Sequence, residues 1–125
     1  MKHTAIEKLQ QLLQELRDAE TGCAWTRRQT WQSLAPQTLE ECEELITAIK
    51  SEDLNQIRDE LGDMLYHILF YCQLAAEQKA FAFEDIIQVM LDKHKRRMPP
   101  IELRRQMTAE QINEYWQKQK LKEKL

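Results

Sequence analysis

The chain has 125 residues and a formal net charge of −3, with 18 Lys and Arg against 21 Asp and Glu. That near balance excludes a chain whose overall charge draws it to nucleic acid or an anionic membrane, and no run approaches the roughly 18 apolar residues of a membrane span. Two glycines and three prolines supply little turn chemistry for sheets, so a composition rich in Leu, Glu, Gln, Lys and Ala points to an all-α fold in one domain, residues 1–125.

A first helix is expected from Thr4, whose hydroxyl can cap the amide of Glu7, with Ile6, Leu9, Leu12, Leu13 and Leu16 as its apolar stripe and Gly22 as its stop. The following segment, "CAWTRRQTWQSLA", reads as a connection, although two tryptophans beside Arg27 and Arg28 are dense for a linker. A second helix is expected to open near Pro36, which suits a first turn, and to bury Leu39, Cys42, Leu45, Ile46 and Ile49. Asp53 with Gln56 caps a third helix after a turn of a few residues, giving an antiparallel pair. The third helix begins amphipathic, through Leu54, Ile57, Leu61 and Leu65, but "MLYHILFYC" is apolar around its circumference. Such a helix needs cover on all sides, which a bundle of four or five helices this small rarely provides, so a second copy of the chain is expected to complete it, as a dimer or a tetramer of dimers. His67 within that run is read as a packed core residue. Residues 83–97 form a fourth helix ending in the basic run "KHKRR", and Thr108 with Gln111 caps a last one carrying Ile112, Tyr115 and Trp116. Cys23, Cys42 and Cys72 are odd in number and match no zinc spacing, and charges interrupt the N-terminal segment, so a reduced, cytoplasmic protein is expected.

The stretch "LEECEELITAIKSEDLNQIRDELGDML" concentrates carboxylates without the i,i+4 bases that relieve a solvated helix face. Glu41 and Glu44 lie one turn apart on one helix, and Glu60 and Asp63 repeat the spacing on the next. At about 1.5 Å per residue, Glu44 and Glu60 lie roughly 9 and 10 Å from the intervening turn, and Glu41 and Asp63 roughly 14 and 15 Å from it. The pairs therefore meet at equal heights. Four facing carboxylates cannot all remain ionised unless protons or a cation neutralise them, and a hard divalent cation suits oxygen donors. Most Glu-rich helical stretches are solvated faces; the second pair, on a helix that continues as an apolar run, distinguishes this one.

With its flanks, the acidic pattern resembles the MazG-like all-α nucleoside triphosphate pyrophosphohydrolases. The family's E-E-x-x-E and E-x-x-D are matched by Glu40, Glu41, Glu44, Glu60 and Asp63. Its upstream C-P-W-D-x-x-Q-T-H-x-S-L is matched at Cys23, Trp25, Gln29, Thr30, Ser33 and Leu34, while "KHKRRMP" and "YWQKQK" are similar to its K-x-x-R-R-H-P and W-x-x-x-K. The resemblance covers about Cys23 to Lys120. Ala24, Thr26, Trp31 and Met98 depart from the family's Pro, Asp, His and His, and Pro100 stands where a further His is common. These changes leave the acidic motif intact and fall where base preference would be set.

The resemblance implies hydrolysis of an NTP or dNTP between the α- and β-phosphates, giving monophosphate and pyrophosphate, and with it a role in nucleotide-pool housecleaning. It implies Glu41, Glu44, Glu60 and Asp63 as catalytic metal ligands for Mg2+, with Mn2+ able to substitute, and Glu40 as an outer residue or base. Lys93 and Arg97, i,i+4 on one face, are expected to meet phosphates; Trp116 and Lys120, also one turn apart, are expected to bring a ring and a charge to the substrate; Trp25 and Arg28, with Arg27 and Trp31, are expected around the base. A basic run can equally complement a helix C-terminus. No stable nucleic-acid binding and no membrane partner are expected. A ferritin-like di-metal oxidase would need Glu-x-x-His pairs, which Glu60 and Asp63 do not form. A non-catalytic nucleotide- or metal-binding helical dimer with a regulatory role is the alternative.

Overall fold

The computed structural model describes residues 2–124, and among these every regular element is a helix. The chain divides into two compact units, residues 1–82 and 83–125. The first holds α1 (Ala5–Leu16), α2 (Ala24–Arg28), α3 (Trp31–Ser51) and α4 (Leu54–Glu77); the second holds α5 (Phe83–Arg97), α6 (Ile101–Arg104) and α7 (Ala109–Glu123). Five of these helices have 12 residues or more, and α2 and α6 are short additions.

Helix starts follow the side-chain chemistry. Thr4 accepts from the Glu7 amide, Asp53 from the amides of Asn55 and Gln56, and Thr108 forms a reciprocal capping box with Gln111. The second long helix differs from expectation. It opens at Trp31, because Thr30 and Ser33 cap each other's backbone amides, and Pro36 lies inside it, where the ring removes one intrahelical hydrogen bond. The tryptophan-rich connection is thus α2 plus the first turn of α3. Helix α1 stops at Leu16, before Gly22; Gly22 closes the subsequent turn, where a Cβ would lie 2.4 Å from the carbonyl oxygens of Leu16 and Asp18.

In the first unit α4 packs against α1 and α3. Leu13, Leu34, Leu69, Phe70, Leu74 and Ala75 are buried there, each larger side chain contributing about 1.5–3 kcal/mol. Arg17 ties the layers together. Its Nη1 donates to the carbonyls of Thr26, Arg27 and Gln29, its Nε and Nη2 donate to Glu77, and its guanidinium lies 5.9 Å from the Phe70 ring centre. Expected burial fails on the outer faces: Leu39, Ile46 and Ile49 of α3 are each more than half exposed, as are Leu54 and Leu61 of α4, and Leu65 and Ile68 are partly exposed. Within the first unit α3 packs chiefly on α4, and α4 on α3 and α1, and the apolar residues of the two helices exceed that cover. His67 is buried, as expected.

In the second unit α5 packs on α7. Glu123 receives hydrogen bonds from Arg96 and Arg97, and Trp116 is flanked by the His94 ring at 4.9 Å and the Arg97 guanidinium at 5.7 Å.

Candidate metal centre

Helices α3 and α4 form an antiparallel hairpin closed by Glu52, in the left-handed region at φ 61°, and by the Asp53 cap. Ser51 Oγ donates to the Ala48 carbonyl at 2.6 Å, and Ala48 is buried, so the closed end is tight. One level up, the i,i+3 pairs face each other. Glu41, Glu44, Glu60 and Asp63 each place a carboxylate oxygen within 4.8 Å of the other three, an arrangement that could hold a metal ion.

The donor set fits a hard cation, being all oxygen. A second observation points the same way: Oε2 of Glu41 and Oε2 of Glu60 are buried without a hydrogen-bond partner. Buried acceptors left unmatched are costly, and a cation would satisfy both. Burial, then the neighbouring charges of Glu44 and Asp63, raises the carboxyl of Glu41 above the ordinary range. The same causes in the same order raise Glu60. Beside the cluster an open groove of about 460 Å³ is lined by Glu40, Glu43, Glu44, Thr47, Gln56 and Asp59, among others. Glu40 therefore borders the site.

Of the residues expected around the base, Trp25 is exposed on α2, and Arg28 lines a shallow cavity with Arg17, Ala19, Ala24 and Arg27. Trp31, in contrast, stacks on Tyr71 at 5.4 Å and donates from Nε1 to Gln78 Oε1 at 3.3 Å. Within the second unit Lys93 is half-buried and Lys120 exposed. Arg97, expected to meet phosphate, has a side chain only 13 % exposed and donates from Nε and Nη2 to one oxygen of Glu123. Those bonds, Arg97 first, lower Glu123 to about 2. Gln29 escaped the sequence reading as a structural residue: buried, it donates to the Trp25 carbonyl and accepts from Ser33 and Gln37, joining α2 to α3.

A family model described as the MazG nucleotide pyrophosphohydrolase domain matches residues 29–101, which include the four carboxylates, Lys93 and Arg97. Over 96 residues the chain is 45% identical to a nucleoside triphosphate pyrophosphohydrolase of Escherichia coli (strain K12), covering 77% of this chain and 36% of that protein. It is 42% identical over 103 residues to a nucleoside triphosphate pyrophosphohydrolase/pyrophosphatase MazG of Thermotoga maritima, covering 81% of this chain and 40% of that one. The chain thus spans well under half the length of these curated relatives. The crystal structure of a mazG-related protein from Thermotoga maritima is similar at a TM-score of 0.71 and 27% identity, covering 91% of this chain and 97% of that chain.

Proposed function

The chain belongs to the MazG nucleotide pyrophosphohydrolase domain family, and from that premise we propose that it hydrolyses nucleoside triphosphates to monophosphate and pyrophosphate, with Mg2+, in nucleotide-pool housecleaning. The observation that carries this reading is the convergence of Glu41, Glu44, Glu60 and Asp63 with two of their oxygens buried and unpartnered. Four acids would repel a triphosphate unless they gather cations. Bound magnesium supplies charge neutralisation and a more acidic water, and Mn2+ can substitute.

The chain's own contribution is positioning. Opposed i,i+3 pairs on two packed helices hold the carboxylates on rigid backbone, so little reorganisation is needed when charge shifts during reaction. Water oxygen bonds to the α-phosphorus and gives up a proton to solvent, the bond from that phosphorus to the bridging oxygen breaks, and pyrophosphate leaves with the electron pair. Lys93, Arg97 and Lys120 are assigned to phosphate, with Trp116 beside Arg97 supplying a ring; Trp25 and Arg28 are assigned to the base. A cytoplasmic setting belongs to the same proposal. Separately, no described helix is long and apolar enough to cross a membrane.

A homodimer, or a tetramer of dimers, is part of the same reading. Leu54, Leu61, Leu65 and Ile68 share one face of α4 and stay exposed, and Gly62 beside them leaves open space where a Cβ would stand. A panel of NTPs and dNTPs, assayed with Mg2+ and with chelator, tests the function. Metal-dependent monophosphate and pyrophosphate in equal amounts are expected; unaltered nucleotide across the panel, with metal bound, would overturn the reading in favour of a non-catalytic binder.

A further inference from the structure

One level beyond the carboxylates, on the side away from the turn, the hairpin carries a polar tie. Thr38 lies one turn before Glu41 on α3, and His67 lies one turn after Asp63 on α4. Thr38 Oγ1 is 3.1 Å from the Leu34 carbonyl, 2.8 Å from His67 Nδ1 and 2.5 Å from Tyr71 Oη. A hydroxyl has one proton and two acceptor sites. Donation to the Leu34 carbonyl leaves Thr38 to accept from both Nδ1–H of His67 and O–H of Tyr71, so all three contacts are satisfied at once. The Tyr71 ring is in turn fixed by stacking on Trp31, which reaches Gln78.

We propose that Thr38, His67 and Tyr71 are positioning residues for the metal centre, holding α3 and α4 together against the mutual repulsion of the four carboxylates so that their oxygens converge before any cation arrives. The inference rests on the metal reading above. Repulsion among Glu41, Glu44, Glu60 and Asp63 pushes the two helices apart at that level. On one side the tight turn at Ala48 and Ser51 resists; on the other, the next cross-helix polar contact is the Thr38 hydroxyl, with the Cys42–Met64 sulfur contact at 3.8 Å lying between. Without the tie, the separation would have to be closed by the cation, at the expense of its affinity.

The test is Mn2+ binding, followed by electron paramagnetic resonance, on the full chain and on Thr38→Val, Thr38→Ser and Tyr71→Phe. Val keeps the shape and loses the hydroxyl; Ser restores it; Phe keeps the ring stack and removes one donor. Thr38→Val should weaken Mn2+ binding about tenfold or more, Thr38→Ser should recover most of it, and Tyr71→Phe should fall between. The 15N shifts of His67 should report Nδ1 protonation in the parent and in Thr38→Ser, and its loss in Thr38→Val. If Thr38→Val does not fold, Tyr71→Phe decides alone. A parent that binds no Mn2+ takes down the metal reading and this inference with it. A parent that binds, beside a folded Thr38→Val or Tyr71→Phe with unchanged affinity, overturns the inference and leaves the metal reading intact.

Discussion

Replacing Glu41 by Gln keeps the size of the side chain and removes one of four converging charges. Its carboxylate has an oxygen within 4.8 Å of oxygens from Glu44, Glu60 and Asp63. In water each such repulsion is about 0.9 kcal/mol, and salt at physiological strength roughly halves it, so three neighbours give about 1.5 kcal/mol. Because the four carboxylates alternate between part-buried and exposed, solvent screening trims this to about 1 kcal/mol of relief. In chelator the variant should therefore melt about 4 °C above the parent. Excess Mg2+ should reverse the order. At 100 times its Kd, a ligand stabilises the parent by about 2.7 kcal/mol, whereas a variant binding 100-fold more weakly gains about 0.4 kcal/mol. Thermal melts of both proteins, in EDTA and in a Mg2+ series, read the crossing. A variant that melts below the parent in EDTA, with a parent whose melting ignores Mg2+, would refute the reasoning and make these carboxylates structural.

The metal-free parent should gain stability as pH falls from neutrality towards the ordinary carboxylate range. Raised carboxyls of Glu41 and Glu60 bind protons in the folded state that the unfolded chain releases, and Mg2+ should flatten this slope in melts run across pH. Burial lowers His67, which contributes the opposite slope below its ordinary value of 6.5, but that slope is common to parent and Glu41→Gln, so their difference isolates the carboxylates. Arg17→Met should cost about 3 kcal/mol in denaturant unfolding, since it removes the charged donor shared by the carbonyls of Thr26, Arg27 and Gln29 and by Glu77; a loss below 1 kcal/mol would contradict the tie. Arg97→Ala should lower nucleotide turnover, and it should also lower the melting temperature, because Arg97 anchors Glu123; unchanged kinetics would return it to a purely structural role. Leu65→Arg should yield a monomer by light scattering where the parent gives a dimer, and a monomeric parent at micromolar concentration would sink the dimer proposal.

Helix starts were legible where one side chain answers one amide, as at Thr4, Asp53 and Thr108, because capping is a local event. The carboxylate cluster was legible for a related reason: two i,i+3 pairs and a short turn fix relative height by counting alone. Pro36 misled because proline favours a first turn, while the Thr30–Ser33 box, which uses Ser in place of Glu or Gln, placed the start at Trp31. Arg17 left no signal, since backbone carbonyls, its main partners, carry no residue identity. Periodicity marked Leu39, Ile46 and Ile49 as apolar-face residues, but a period does not say whether its own chain covers that face. His67 read correctly as packed, whereas its bond to Thr38, 29 residues away, needed the hairpin register.

In the proposed reaction, water attacks the α-phosphorus of a nucleoside triphosphate at the site built by Glu41, Glu44, Glu60 and Asp63. Turnover in 18O-labelled water, with Mg2+ and products read by mass spectrometry, tests it in one measurement. One 18O in the nucleoside monophosphate and none in the pyrophosphate is the expected result. Label in the pyrophosphate, or a nucleoside diphosphate with labelled orthophosphate, would contradict it.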